Sequence, residues 1–155
     1  MADVFMDIRT AQKAAGGGRQ AAAGPGSRRI LIVDDDLDAT EELASFLNWR
    51  FGAEVAVTDS VAAAKSRLAD SPTPDLCLVD IRMPRESGMT LVKELRARNA
   101  EQPHIIVMSG FHDAGAMETI EQLHLPFLPK PLSLKALVDL VQPFLEDSPQ
   151  RLAPA

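Results

Sequence analysis

Four compact apolar runs mark the chain: Ile30-Leu31-Ile32-Val33, Leu76 to Val79, Ile105-Ile106-Val107-Met108, and the shorter Phe127-Leu128. A weaker run is Val55-Ala56-Val57. None alternates with polar residues, and this predicts strands covered on both faces, as in a parallel sheet. The intervals have helical spacing instead. Leu43, Phe46, Leu47 and Phe51 line one face, with Asp38 and Glu41 as a candidate cap pair. Val61, Ala64 and Leu68 follow, with Ser60 as a candidate cap. Met89, Leu91, Val92 and Leu95 make a third face, and Met117, Ile120 and Leu123 or His124 a fourth. Ser133 precedes Leu134, Leu137, Val138 and Val141, the clearest of the five. Strand and helix thus alternate five times. That order predicts an α/β fold, with helices on both faces of a parallel five-stranded sheet and right-handed crossovers.

The flanks differ from this body. Residues 1–27 are rich in Ala, Gly and Gln, with Gly16-Gly17-Gly18 and Gly24-Pro25-Gly26, and read as a flexible leader. Val4, Ile8, Ala11 and Ala15 have helical spacing, a weak pattern for a short docking helix. Residues 146–155 are too few for a further domain, which leaves 28–145 as the folded unit. The formal charge of −6 is unevenly shared. Residues 1–29 carry five basic and two acidic groups, and the remainder carries 11 basic and 20 acidic. An acidic body without tyrosine argues against a nucleic-acid surface. The single cysteine, Cys77, lies within an apolar run and predicts buried packing in a reducing compartment. No apolar run is long enough for a membrane helix, and no basic-then-apolar signal opens the chain. The cytoplasm is the expected location.

In an open parallel sheet, ligands bind beyond the carboxyl ends of the strands. Asp34, Asp35 and Asp36 follow Ile30–Val33, Asp80 follows Leu76–Val79, Ser109 follows Ile105–Met108, and Lys130 follows Phe127-Leu128-Pro129. Each has a plain alternative. A lone Asp after a strand caps the next helix, as expected of Asp36 and Asp38, Ser109 alone suits a turn, and Lys130 alone is ordinarily solvated. Together they converge on one edge, which turn chemistry does not explain. Clustered carboxylates repel and raise each other's pKa, and a divalent ion relieves this. Carboxylates with water suit Mg²⁺. A carboxylate can also act as nucleophile and form an acyl phosphate. Phosphoryl transfer needs charge neutralisation and alignment, which Mg²⁺, the Lys130 ammonium and the Ser109 hydroxyl would supply.

These residues resemble the receiver domain of response regulators in two-component signalling. The resemblance covers residues 28–145 and rests on Ile30-Leu31-Ile32-Val33-Asp34-Asp35-Asp36, on Leu78-Val79-Asp80-Ile81-Arg82-Met83-Pro84 with Gly88, on Val107-Met108-Ser109-Gly110, and on Phe127-Leu128-Pro129-Lys130-Pro131. It implies a doubly wound (βα)5 fold, flavodoxin-like or CheY-like, with strand order 2-1-3-4-5. It implies that Asp80 is the phosphoacceptor and that Asp34, Asp35, Asp80 and the Arg82 carbonyl surround Mg²⁺. It further implies that Ser109 and Lys130 bind phosphoryl oxygens, that Phe127 is the aromatic switch, and that the Lys130–Pro131 bond is cis. The partners it implies are a sensor histidine kinase or histidine phosphotransfer protein and a downstream protein target. Such a chain is a switch with slow autodephosphorylation rather than an enzyme. Neither nucleic acid nor membrane is expected as a partner. A homodimer through the surface of the fourth helix, fifth strand and fifth helix is family-typical, and nothing in the sequence demands it.

The chain departs from the family in places. His124-Leu125-Pro126 replaces the usual Gly-Ala before the last strand and leaves that loop's geometry open. Pro129 is acceptable if the last strand is an edge. Arg82 and Phe111, each two residues past a site residue, are expected to shape water access and phosphoryl lifetime. His104, His112 and His124 lack metal-ligand spacing and read as solvated or structural. Two rivals remain open beside a receiver piece of a larger phosphorelay protein. A Mg²⁺-dependent phosphohydrolase with an Asp nucleophile would want a second acid where Arg82 stands. A flavin module would want a Ser, Thr and Gly loop where Asp34-Asp35-Asp36 stands.

Overall fold

The structure is a computed structural model that describes residues 27–70, 73–99, 103–110 and 114–146. The leader through residue 26, the tail from 147, Phe111 and His112 lie outside the described residues. The elements are β1 (Arg29–Val33), α1 (Leu37–Phe51), β2 (Glu54–Thr58), α2 (Val61–Asp70), β3 (Leu76–Asp80), α3 (Gly88–Arg98), β4 (His104–Ser109), α4 (Ala114–Gln122), β5 (Phe127–Pro129) and α5 (Leu134–Glu146). The strands are all parallel, in the order β2-β1-β3-β4-β5. This is the α/β order that the resemblance implies.

Two cores explain why the strand sequences do not alternate. Ile30, Ile32, Leu76, Leu78, Ile106 and Met108 point to one face of the sheet, against Leu43, Phe46 and Leu47 of α1 and Leu137 and Val141 of α5. Leu31, Val33, Cys77, Val79, Ile105 and Val107 point to the other, against residues of α2, α3 and α4. Successive side chains still take opposite sides, but both sides are apolar. Cys77 is buried, as expected, and burial pushes its thiol up to about 12. Among the described residues no helix is long and apolar enough to cross a membrane.

Helix boundaries follow their caps, with one correction to the expected pairing. The N-cap of α1 is Asp36, whose carboxylate accepts from the Ala39 N–H at 3.2 Å. Asp38 lies inside the first turn, where its charge suits the positive end of the helix dipole. Ser60 caps as expected, accepting from Ala63 N–H at 3.1 Å, and Ser133 does the same for α5, accepting from Ala136 N–H at 3.3 Å. Helix α5 ends at Glu146. β5 is an edge strand, so Pro129 removes no donor that an inner ladder would need. The Lys130–Pro131 bond is cis. His124 takes φ 52°, the left-handed position after α4.

Candidate functional site

The sheet reverses its winding between β1 and β3, and the ends of these two strands carry Asp34 and Asp80. Both residues are buried, at 2% and 4% exposure, which is unusual for carboxylates without compensation. Compensation comes from three directions. Asp34 Oδ1 accepts from the Asp36 N–H at 3.0 Å. Asp80 Oδ1 accepts from the Arg82 N–H at 2.9 Å. The Lys130 ammonium then donates to both remaining oxygens, to Asp34 Oδ2 at 2.6 Å and to Asp80 Oδ2 at 2.9 Å. Lys130 is therefore no solvated lysine but the cation that joins the acids.

The local chain explains each placement. The N-cap turn at Asp36 folds its own N–H back onto Asp34, while the N-terminal end of α3 is pressed beneath β3. A Cβ on Gly88 would lie 2.0 Å from the Asp80 carbonyl oxygen and 2.8 Å from Val79 Cγ1, so this approach requires glycine. Ser87 caps α3 by accepting from Met89 N–H at 3.2 Å, and its hydroxyl donates to the Ile81 carbonyl at 2.8 Å. It thereby ties the turn that carries Arg82 to the helix. Ser87 escaped the sequence reading, although a Ser just before a helical apolar face is the same signal that identified Ser60.

Burial raises the Asp80 pKa, and nearby Asp34 adds to the shift. The Arg82 N–H and Lys130 oppose it without overcoming it. Burial also works against the Lys130 ammonium, but hydrogen bonds and charge from Asp34 and Asp80 prevail and raise its pKa.

Asp35 is exposed beside its two buried neighbours, and one oxygen from each of Asp34, Asp35 and Asp80 lies within 4.8 Å of the others. These are hard oxygen donors with no His or Cys among them, a set that fits Mg²⁺ and not a thiolate-seeking metal. A cleft of about 330 Å³ opens on the Asp35 side, lined in part by Asp59, Ser60, Met83 and Glu86. Ser109 ends β4, where the register sets Met108 beside Asp80, and its carbonyl accepts from Lys130 N–H at 2.9 Å. Ser109 is itself buried, with 3% exposure. Phe127 begins β5 in register with Val107 and packs half-buried against the α2–α3–α4 core. Arg82 is exposed and tied to Asp80 through its main chain. Of the three histidines, His104 is half-buried, its ring 4.4 Å from that of Phe144, and burial followed by Arg96 lowers its pKa. His124 is exposed, and neither belongs to the site.

Fold and site together define a class: a doubly wound α/β protein of CheY-like architecture whose ligand edge is acidic. The response regulator receiver domain model matches residues 30–142, and the chain belongs to that family, the receivers of two-component signalling. The transcriptional regulatory protein FixJ of Azorhizobium caulinodans is 37% identical over 129 residues, covering 82% of this chain and 59% of that protein. A response regulator receiver protein of an Anaeromyxobacter species is 34% identical over 113 residues, covering 73% of this chain and 47% of that one. The crystal structure of a response regulator receiver protein from Pseudomonas putida matches with a TM-score of 0.69 at 32% identity, over 75% of this chain and 96% of that chain. The chain spans about half the length of the curated relatives it matches.

Proposed function

We propose that the chain is a phosphoacceptor switch, in which Asp80 takes a phosphoryl group from a phosphohistidine on a sensor histidine kinase or a histidine phosphotransfer protein. One observation carries this reading. A single ammonium, Lys130, bonds simultaneously to buried Asp34 and buried Asp80, so a cation already sits where a new anion would arrive.

The chemistry balances simply. An Asp80 oxygen forms a bond to phosphorus, the phosphorus–nitrogen bond to the histidine breaks, and its electron pair stays on the departing imidazole. Asp34, Asp35, Asp80 and the Arg82 carbonyl are the groups that would hold Mg²⁺, which when bound supplies the positive charge that phosphoryl transfer requires. Lys130 passes from the carboxylates to a phosphoryl oxygen, and the Arg82 N–H keeps the Asp80 carboxylate oriented. The Ser109 hydroxyl donates to a second phosphoryl oxygen. Its inward movement vacates space into which Phe127 turns, and the surface of α4, β5 and α5 changes. This is a shift between two packings, biased by contacts only the phosphorylated form makes.

The output is a contact with a downstream protein in the cytoplasm, and hydrolysis of the acyl phosphate resets the switch, with Arg82 governing water access. The chain then acts as a switch rather than a turnover enzyme. An acidic body supports a protein target rather than nucleic acid or an anionic membrane.

Incubation with acetyl phosphate should add one phosphoryl group only when Mg²⁺ is present, in a base-labile linkage. Asp80→Asn should abolish that mass gain. Equal labelling of the Asn variant would reassign the acceptor.

A further inference from the structure

The two outer strands of the sheet are finished differently. β5 has three residues, follows Pro126 and ends in Pro129, so its free side offers another strand little to pair with. β2 runs five residues, Glu54-Val55-Ala56-Val57-Thr58, with no proline or lysine among them. The Glu54 N–H donates to the Arg28 carbonyl at 2.8 Å, and the Asp34 N–H donates to the Thr58 carbonyl at 3.0 Å. Main-chain groups alternate sides along a strand, so Glu54, Ala56 and Thr58 face β1 while the N–H and C=O groups of Val55 and Val57 face outward. No described strand pairs with that side, because β2 is terminal in the sheet.

We infer that this edge joins a second copy of the chain, β2 running antiparallel to β2 about a two-fold axis at Ala56. In that register Val55 of one copy meets Val57 of the other, and Val57 meets Val55. All four outward groups of each copy then find partners, through four hydrogen bonds. Registers centred on Val55 or on Val57 pair only one of the two valines within the strand. The contact is isologous and closes at two copies.

The charges agree with the antiparallel register. At the start of β2, Arg29, Glu54 and Arg67 line a hollow of about 140 Å³ floored by Ala56 and Leu68. Arg29 already pairs with Glu54 at 3.6 Å, whereas Arg67 is exposed and has no ion pair among the described residues. Just past the other end stands Asp59, also exposed and also without an ion pair among the described residues. Antiparallel pairing sets Asp59 of one copy opposite Ala53 of the other, at the end of β2 where Glu54 and Arg67 line the hollow, and does so twice. A strand pairing alone covers less than the roughly 1,200–2,000 Å² of a stable interface, so the dimer is weak and concentration-dependent. This surface is separate from the α4–β5–α5 face, and its formation does not depend on phosphorylation.

Sedimentation equilibrium of the full chain from about 10 µM to about 1 mM tests this. The expected result is reversible association to a dimer. Val57→Pro deletes an outward donor that occurs twice in the interface, and should weaken the dimer at least about tenfold. Arg67→Asp and Asp59→Arg should each weaken it, and the two combined should recover most of the affinity. A chain that stays monomeric throughout overturns the inference, and so does a dimer that none of these substitutions weakens. If Val57→Pro fails to fold, the charge exchange decides alone.

Discussion

His124 and Gly88 have opposite backbone problems. At His124 the chain ends α4 in a Schellman arrangement: His124 N–H donates to Glu121 O at 3.1 Å and Leu125 N–H to Ile120 O at 3.0 Å. Buried Leu125 and Ile120 supply the apolar contact that accompanies it. Only the Cβ of His124 is out of place at φ 52°. Glycine removes that strain but adds freedom to the unfolded chain, so His124→Gly should stabilise the fold by about 1 kcal/mol. A denaturant midpoint that rises at constant slope would bear this out, and a lower midpoint would mean that the imidazole contributes something of its own. Gly88 is the reverse. Its missing side chain admits the Asp80 carbonyl, a backbone atom that no rotamer change can move. Gly88→Ala should lower stability by about 2 kcal/mol or more, and reduce labelling by acetyl phosphate through displacement of Asp80. Unchanged melting and labelling would refute it. Neither role was legible in the sequence: His124 looked like a helix end of unknown geometry, and Gly88 was only part of a familiar pattern.

Elements were more legible than their ends. A strand whose two faces are both covered announces itself as an unbroken apolar run, as β1, β3 and β4 do. β5 was visible despite its three residues because Phe127 and Leu128 precede the Lys–Pro pair. Caps are harder, because Asp34, Asp35, Asp36 and Asp38 all have suitable side chains. The winner, Asp36, is the one placed where the chain leaves β1 and its carboxylate faces Ala39 N–H. Ser87 shows what a cap contributes beyond its helix. Ser87→Ala would lose the acceptor for Met89 N–H and the donor to the Ile81 carbonyl. The expected cost is about 1 kcal/mol, measured by chemical denaturation of the Mg²⁺-free protein. A cost near zero would mean that water replaces the hydroxyl at both contacts.

For the whole molecule, the acidic cluster couples stability to pH and to metal. Burial raises the Asp80 pKa from the ordinary 3.8, so the folded chain takes up this proton more readily than the unfolded chain. The group's favourable contribution is present in full below the ordinary value of 3.8 and is lost as pH rises through the folded value. At neutral pH, without divalent ions, Asp80→Asn should therefore melt above the wild type, and the gap should close as pH falls toward about 4. Magnesium should reverse the order. At a hundred times its dissociation constant it should stabilise the wild type by about 2.7 kcal/mol, and the Asn variant by less. Calorimetry across pH, with chelator or with Mg²⁺, reads both effects. Equal Mg²⁺ shifts in the two proteins would put the ion elsewhere.

The linear chain determined the layered α/β architecture and the edge on which chemistry would collect. Both are carried by neighbours: apolar runs demand cover on two faces, and the residues that end those runs must emerge together once the strands lie parallel. Only the folded molecule decided how the acids are offset, because Lys130 meets Asp34 across 96 residues of sequence and Asp80 across 50. It likewise decided which carboxylate caps α1, why position 88 admits no side chain, and which outer strand is left open. Such facts depend on distances between parts of the chain that no local pattern relates.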